Sequence, residues 1–170
     1  MTESHLASRL NALFALWEGQ APVAIVKDLL SFSPTRHVIN TTSGSRFFAC
    51  CAVDTLLIAH LLDEDVDIET TPPGNAEPLC INIHNKELGV SSSAVIAIPL
   101  QHDDQQIRET FCPYANGFPD EDAYLQWAAT APVVSISTPI EDAYRVTSVI
   151  GDRLRDLAAL HGQNSGDCCS

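Results

Sequence analysis

From Leu30 to Leu100 the apolar residues come mostly in short bursts broken by turn residues, and a chain patterned that way has to build a sheet. LSFSP, RHVINTT and RFFAC alternate or run in apolar bursts separated by Ser33-Pro34 and by Thr42-Ser43-Gly44-Ser45, the punctuation of consecutive strands and turns. They predict a small antiparallel meander. VDIET reads as a further strand before the turn Pro72-Pro73-Gly74-Asn75, and LCINIH (79–84) and AVIAIPL (94–100) as two more around a Ser-rich link, making a central sheet. One segment breaks the rule: CAVDTLLIAHLL carries helical spacing from about Cys51.

The flanks are helical. Residues 5 to about 18 place Leu6, Leu10, Leu13, Phe14 and Trp17 on one face, and Pro22 opens a second helix through VAIVKDLL; together they predict a small N-terminal helical element over residues 1–28. Asp103 to about Phe111 predicts a short helix that delivers Cys112 at its end, followed by an irregular PYANGF loop. Asp120 begins a helix in DEDAYLQWAAT, and PVVSIST reads as a buried strand because it is short, β-branched and introduced by Pro132. Thr138-Pro139-Ile140-Glu141 has the form of a capping box, with Thr at the N-cap, Pro at the first helical position and Glu three residues after the cap. Its helix is expected to reach about Leu160, with Gly151 weakening the middle. Strands and helices mixed without strict alternation predict an α+β fold, with an antiparallel or mixed sheet core flanked by helices over residues 29–161. The small, polar residues 162–170 are expected to form a disordered tail carrying Cys168 and Cys169.

At 170 residues and 45% hydrophobic content the chain can bury one sizeable core. A formal net charge of -13 repels phosphate backbones and anionic lipid, which argues against nucleic-acid and membrane-surface partners. Arg9 interrupts the first apolar stretch, so no export signal is visible, and no apolar run approaches the roughly 20 residues of a membrane span. These features predict a cytoplasmic protein. In that reducing compartment the six cysteines (50, 51, 80, 112, 168 and 169) are free thiols, ligands or catalysts instead of a disulfide framework.

The chemistry concentrates in FFACCAVDTLL. If a helix starts near Cys51, Asp54 lies one turn further on the same face, and the two side chains can share a pocket. The helix macrodipole favours the Cys51 thiolate, whereas the nearby carboxylate opposes it. Such a pair can relay a proton. Against this stands the ordinary behaviour of free cysteine, which usually packs as a small hydrophobe, and on that reading Cys50 is a packing residue. Zinc is disfavoured because the chain has no CxxC pair, and the six histidines (5, 37, 60, 84, 102 and 161) form no motif. Gly44 and Gly74 belong to turns, not to phosphate loops.

FFACCAVDTLL resembles the helix-start segment of the alkylmercury lyases, in which an aromatic residue, Cys, Ala, an aliphatic residue and Asp precede Thr-Leu. IRETFCPYANGF resembles the family segment ending in Ser-Phe-Cys. The order of LSFSPTRHVI, VDIETTPPGNAEPLCINI, AVIAIPL, DEDAYLQWAA and PVVSISTPIEDAY follows the family too, over about residues 29–157. This resemblance implies catalytic residues Cys51, Asp54 and Cys112, with Cys51 and Cys112 holding the Hg(II) product and Asp54, Cys168 and Cys169 as further candidate ligands. Cys168 and Cys169 also resemble the metal-handing tails of mercuric reductases. The departures are a short N-terminal region, Cys50 where the family often has Trp, and Pro113 after Cys112. The implied reaction is protonolysis of a carbon-mercury bond in an organomercurial substrate, without an organic cofactor. Low-molecular-weight thiols or a mercuric reductase would accept the Hg(II), and a homodimer is allowed. Softness supports it, since thiolates are the natural ligands of a soft ion. Two other readings stay open: a non-catalytic thiol protein that binds or ferries Hg(II) or Cu(I), and a family relative recruited to other chemistry.

Overall fold

The computed structural model describes residues 3–164 apart from 76, 102, 104 and 105. Helix α1 (Glu3–Phe14) continues into a 3-10 turn, Ala15–Trp17, and α2 (Pro22–Leu29) begins with proline at its first position, where the missing N–H costs nothing. Strands β1 (His37–Thr41) and β2 (Arg46–Phe48) form a hairpin, and α3 (Ala52–Leu62) follows directly. After α3 come β3 (Val66–Thr70), β4 (Leu79–His84), β5 (Glu87–Gly89) and β6 (Val95–Pro99). The remainder is α4 (Ile107–Thr110), a 3-10 turn at Cys112–Tyr114, β7 (Gly117–Phe118), α5 (Glu121–Ala128), β8 (Ser135–Pro139) and α6 (Ile140–Asn164).

Among the described residues all pairings are antiparallel, in one sheet ordered β2-β1-β3-β4-β5 and a second ordered β7-β6-β8. The α+β expectation therefore holds, but the single central sheet does not. LCINIH and AVIAIPL lie in different sheets, because the short strand β5 folds back onto the open edge of β4 and leaves no place there for β6. LSFSP is not a strand either. Only Leu30 bridges to Ala49; the Ser33 N–H then turns to the Ser31 hydroxyl at 3.2 Å, a local bond that competes with a ladder, and Phe32 is left exposed.

Two further expectations fail at the second sheet. PVVSIST is half-buried instead of buried, since β8 starts only at Ser135 and lies on the sheet edge. The capping box is not made: Thr138 pairs with Ile96 in the ladder, and its hydroxyl oxygen is buried without a hydrogen-bond partner. The strand holds Thr138 extended up to the point where Ile140 begins the helix. PYANGF also has more order than expected, being part 3-10 turn and part β7.

Helix α3 is the hub. It is apolar nearly all round, and a helix of that kind belongs inside a core, where each buried Leu or Ile contributes roughly 1.5–3 kcal/mol. It is covered by α6 and α2 and by β1 and β3, and α1 packs on α6, so Leu6, Leu10, Ile25 and Leu29 join the same core as Leu56, Ile68 and Ile81. Strand β6 divides two cores by its period of two: Ile96 and Ile98 face the main one, while Val95 and Ala97 face a satellite with Phe118 and Tyr124. Gly151 explains itself at the crossing of α6 and α3, where an added Cβ would stand 2.4 Å from Cδ2 of His60.

Among the described residues no helix is long and apolar enough to cross a membrane.

Candidate active site

The turn between β2 and α3 is held at both ends. The Cys50 N–H donates to the Leu29 carbonyl at 3.1 Å, and the Ala52 N–H, one of the donors a helix start leaves open, donates to the Ala115 carbonyl at 2.9 Å. That second bond matters most for the site. It docks the Cys112–Ala115 segment onto the N-terminus of α3, while the Ala97 N–H bonds the Asn116 carbonyl at 2.9 Å and ties the same segment to β6.

The three side chains that the family resemblance singled out meet there. Cys51 is the N-cap of α3 in extended conformation (φ -151°, ψ 173°), Asp54 lies in the first turn, and Cys112 opens the 3-10 turn. One ligand atom from each of the three lies within 4.8 Å of the other two. The Cys112 thiol donates to Asp54 Oδ2 at 3.8 Å. All are deeply buried, with exposures of 0% for Cys51, 4% for Asp54 and 5% for Cys112. Sequence spacing anticipated the approach of Cys51 and Asp54; only the fold brings Cys112.

Burial dominates the electrostatics. It pushes the Asp54 carboxyl from its ordinary 3.8 up to about 7, against the opposing pull of hydrogen bonds from Cys51, the Arg108 guanidinium and the Cys112 thiol. Burial likewise raises the Cys51 thiol well above its ordinary value, reinforced by Cys112 and by the Asp54 charge. Positions 51 and 54 are those of a capping box, yet the thiol makes no cap hydrogen bond, and the macrodipole's preference for a Cys51 thiolate is overcome by desolvation. The resting site thus keeps its Cys51 proton and holds a carboxyl that is partly protonated near neutrality.

A cavity of about 390 Å³ leads to this cluster. Leu13, Phe14, Leu16, Trp17, Leu29 and Ile107 make its apolar wall, and Asp54, Cys112 and Cys50 are on its lining, whereas Cys51 stands behind them. The N-terminal helices thus build one side of the cavity. Its polar rim is braced by the Trp17 indole N–H, which donates to Asp28 Oδ2 at 3.1 Å, and by Arg108, which donates to the Asp28 carbonyl.

The sequence did not anticipate that Cys50 and Arg108 both line this cavity. Cys50 packs against the main core as expected of it, but it also lines the cavity, because Cys51 is extended, not helical, and the rotation per residue of a helix does not apply across 50–51. For Arg108 a signal existed: it stands one helical turn before Cys112 on a segment expected to be helical. Cys80 lies exposed on β4, away from the cluster. Cys168 and Cys169 lie outside the described residues.

A family model described as MerB, alkylmercury lyase, matches residues 30–150. The alkylmercury lyase of Bacillus cereus is 29% identical over 143 residues, covering 82% of this chain and 62% of that protein, and that of Clostridium butyricum gives the same figures. The alkylmercury lyase of Staphylococcus epidermidis is 27% identical over 143 residues, covering 83% of this chain and 63% of that protein. This chain therefore spans less than two thirds of the length of these relatives. Among solved structures, the mercury-bound form of MerB2 is similar in fold, with a TM-score of 0.64 at 22% identity, over 93% of this chain and 82% of that one.

Proposed function

We propose that this chain, which belongs to the alkylmercury lyase family, cleaves the carbon-mercury bond of organomercurials by protonolysis at Cys51, Asp54 and Cys112. The observation that carries the reading is the convergence of two thiols and a carboxyl within 4.8 Å, buried at the end of an apolar cavity. Thiolates suit a soft mercury centre, the apolar wall suits an alkyl or aryl group, and a carboxyl that titrates near neutrality suits a proton shuttle.

Cys112, which lines the cavity, captures R-Hg(+) first and gives up its proton to the displaced ligand. Cys51 then adds from behind: its proton moves to the Asp54 carboxylate while its sulfur bonds mercury. The second thiolate raises electron density on mercury and weakens the carbon-mercury bond. Asp54 delivers the proton to the departing carbon. The balance is one hydrocarbon R-H formed from the Cys51 proton and the R group, with mercury left as Hg(II) between two sulfurs. No organic cofactor takes part in this scheme. Low-molecular-weight thiols or a mercuric reductase remove the product.

The test is phenylmercury with excess thiol, with benzene measured for wild type, Cys51→Ser, Asp54→Ala and Cys112→Ser. Benzene from wild type alone supports the reading. Tight mercury binding with no benzene from folded wild type rejects it in favour of a thiol-based mercury carrier.

A further inference from the structure

We propose that Cys50 is a third mercury ligand of this site, a relay thiol that takes Hg(II) over from Cys51 while Cys112 keeps hold of it. The inference rests on the lyase reading for the origin of the Hg(II). Its ground is the difference in placement between the adjacent thiols. Cys51 is wholly buried and behind the cavity wall, whereas Cys50 is half-buried and lines the cavity together with Cys112 and Asp54. Its position is fixed by the Cys50 N–H bond to Leu29 and by the bridge from Ala49 to Leu30.

Mercury left between Cys51 and Cys112 has one sulfur that no external thiol can reach. An incoming acceptor must displace ligands from the cavity side, where Cys50 stands beside Cys112 as a second thiol of the protein. The exchange balances simply. A sulfur-mercury bond to Cys50 forms as the bond to Cys51 breaks; the Cys50 proton passes by way of Asp54 to Cys51; mercury stays Hg(II) throughout. Mercury then bridges Cys50 and Cys112, both on the cavity wall, where an acceptor thiol attacks it.

The experiment loads the full chain without oxygen with one equivalent of HgCl2, mixes it with excess glutathione, and times the loss of the near-ultraviolet mercury-thiolate absorption. Release from Cys50→Ser and from Cys50→Ala is expected to be slower than from wild type by about tenfold or more, because exchange depends on access to the attacked bond. Cys80→Ser, altered on the exposed face of β4, is expected to match wild type. Every protein in the comparison also carries Cys168→Ser and Cys169→Ser, so that the single equivalent of mercury is not taken up by those thiols. Equal release from wild type and both Cys50 variants overturns the relay. Because HgCl2 loading bypasses carbon-mercury cleavage, this result is independent of whether phenylmercury yields benzene, and failure of one reading is distinguishable from failure of the other.

Discussion

The Cys112 thiol donates to the Asp54 carboxylate across 3.8 Å, although 58 positions separate the two in the chain. This contact joins a helix start to a loop from the second half of the molecule, and the proposed chemistry depends on it.

Cys51→Ser is expected to capture phenylmercury on Cys112 without releasing benzene. Cys112 faces the cavity and Cys51 stands behind it, so capture and cleavage separate in this variant. Mass spectrometry of the intact protein followed by peptide mapping reads the adduct. Benzene at the wild-type rate, or an adduct absent from Cys112, contradicts the order of ligand addition.

Asp54→Asn keeps both thiols and loses the shuttle. It is expected to bind one Hg(II) as wild type does, while benzene release falls by about 10²–10⁴-fold, the usual worth of a positioned acid-base group. Headspace gas chromatography measures the hydrocarbon. A fall of less than threefold or so would remove Asp54 from the proton path.

The same carboxyl imprints a pH dependence on stability. Asp54 has its folded value raised from 3.8 to about 7, so the folded state binds the proton more tightly; its contribution is complete below about pH 4 and is lost as pH rises through 7. His37, buried and donating to or accepting from Thr70 through Nδ1, has its folded value lowered from 6.5 to about 4 and acts with the opposite sign, adding stability as pH rises through that window. Comparing wild type with Asp54→Asn cancels the histidine. The advantage of the Asn variant is expected to grow between pH 4 and pH 8, by an amount on the order of 4 kcal/mol at most. Urea unfolding under reducing conditions at both pH values checks it, and a constant difference contradicts a buried, raised Asp54.

Gly151→Ala should destabilise the protein even though alanine is the better helix former by about 1 kcal/mol. The new methyl would stand 2.4 Å from the His60 ring, which is itself bonded through Nε2 to Asp152 at 2.8 Å and cannot move freely. A net loss of about 1–3 kcal/mol is expected, as for other overpacked cores, and a gain in urea midpoint would refute the close crossing.

Much of this molecule could be read from local pattern. The alternation of LCINIH became β4 with its inner face buried at every second residue, Pro22 opened α2, and Asp120 capped α5 by accepting from the Ala123 N–H. These features depend on backbone sterics and short-range periodicity, which neighbouring residues carry among themselves. The pairing of Cys51 with Asp54 was legible for the same reason, because a helical turn sets it.

Tertiary structure decided the rest. Thr138 had the local chemistry of an N-cap, but the β6 ladder kept it in a strand. Two adjacent cysteines look equivalent in sequence, yet Cys51 is sealed at the start of α3 while Cys50 lines the cavity built by α1, α2 and α4. Cys112 reaches the pair on a segment held by the Ala115 carbonyl at the open α3 start and by the Asn116 carbonyl on β6. Which strand takes which edge, and which loop docks on which helix end, follow from the global competition for buried area and hydrogen-bond partners, and no window of sequence contains both sides of that competition.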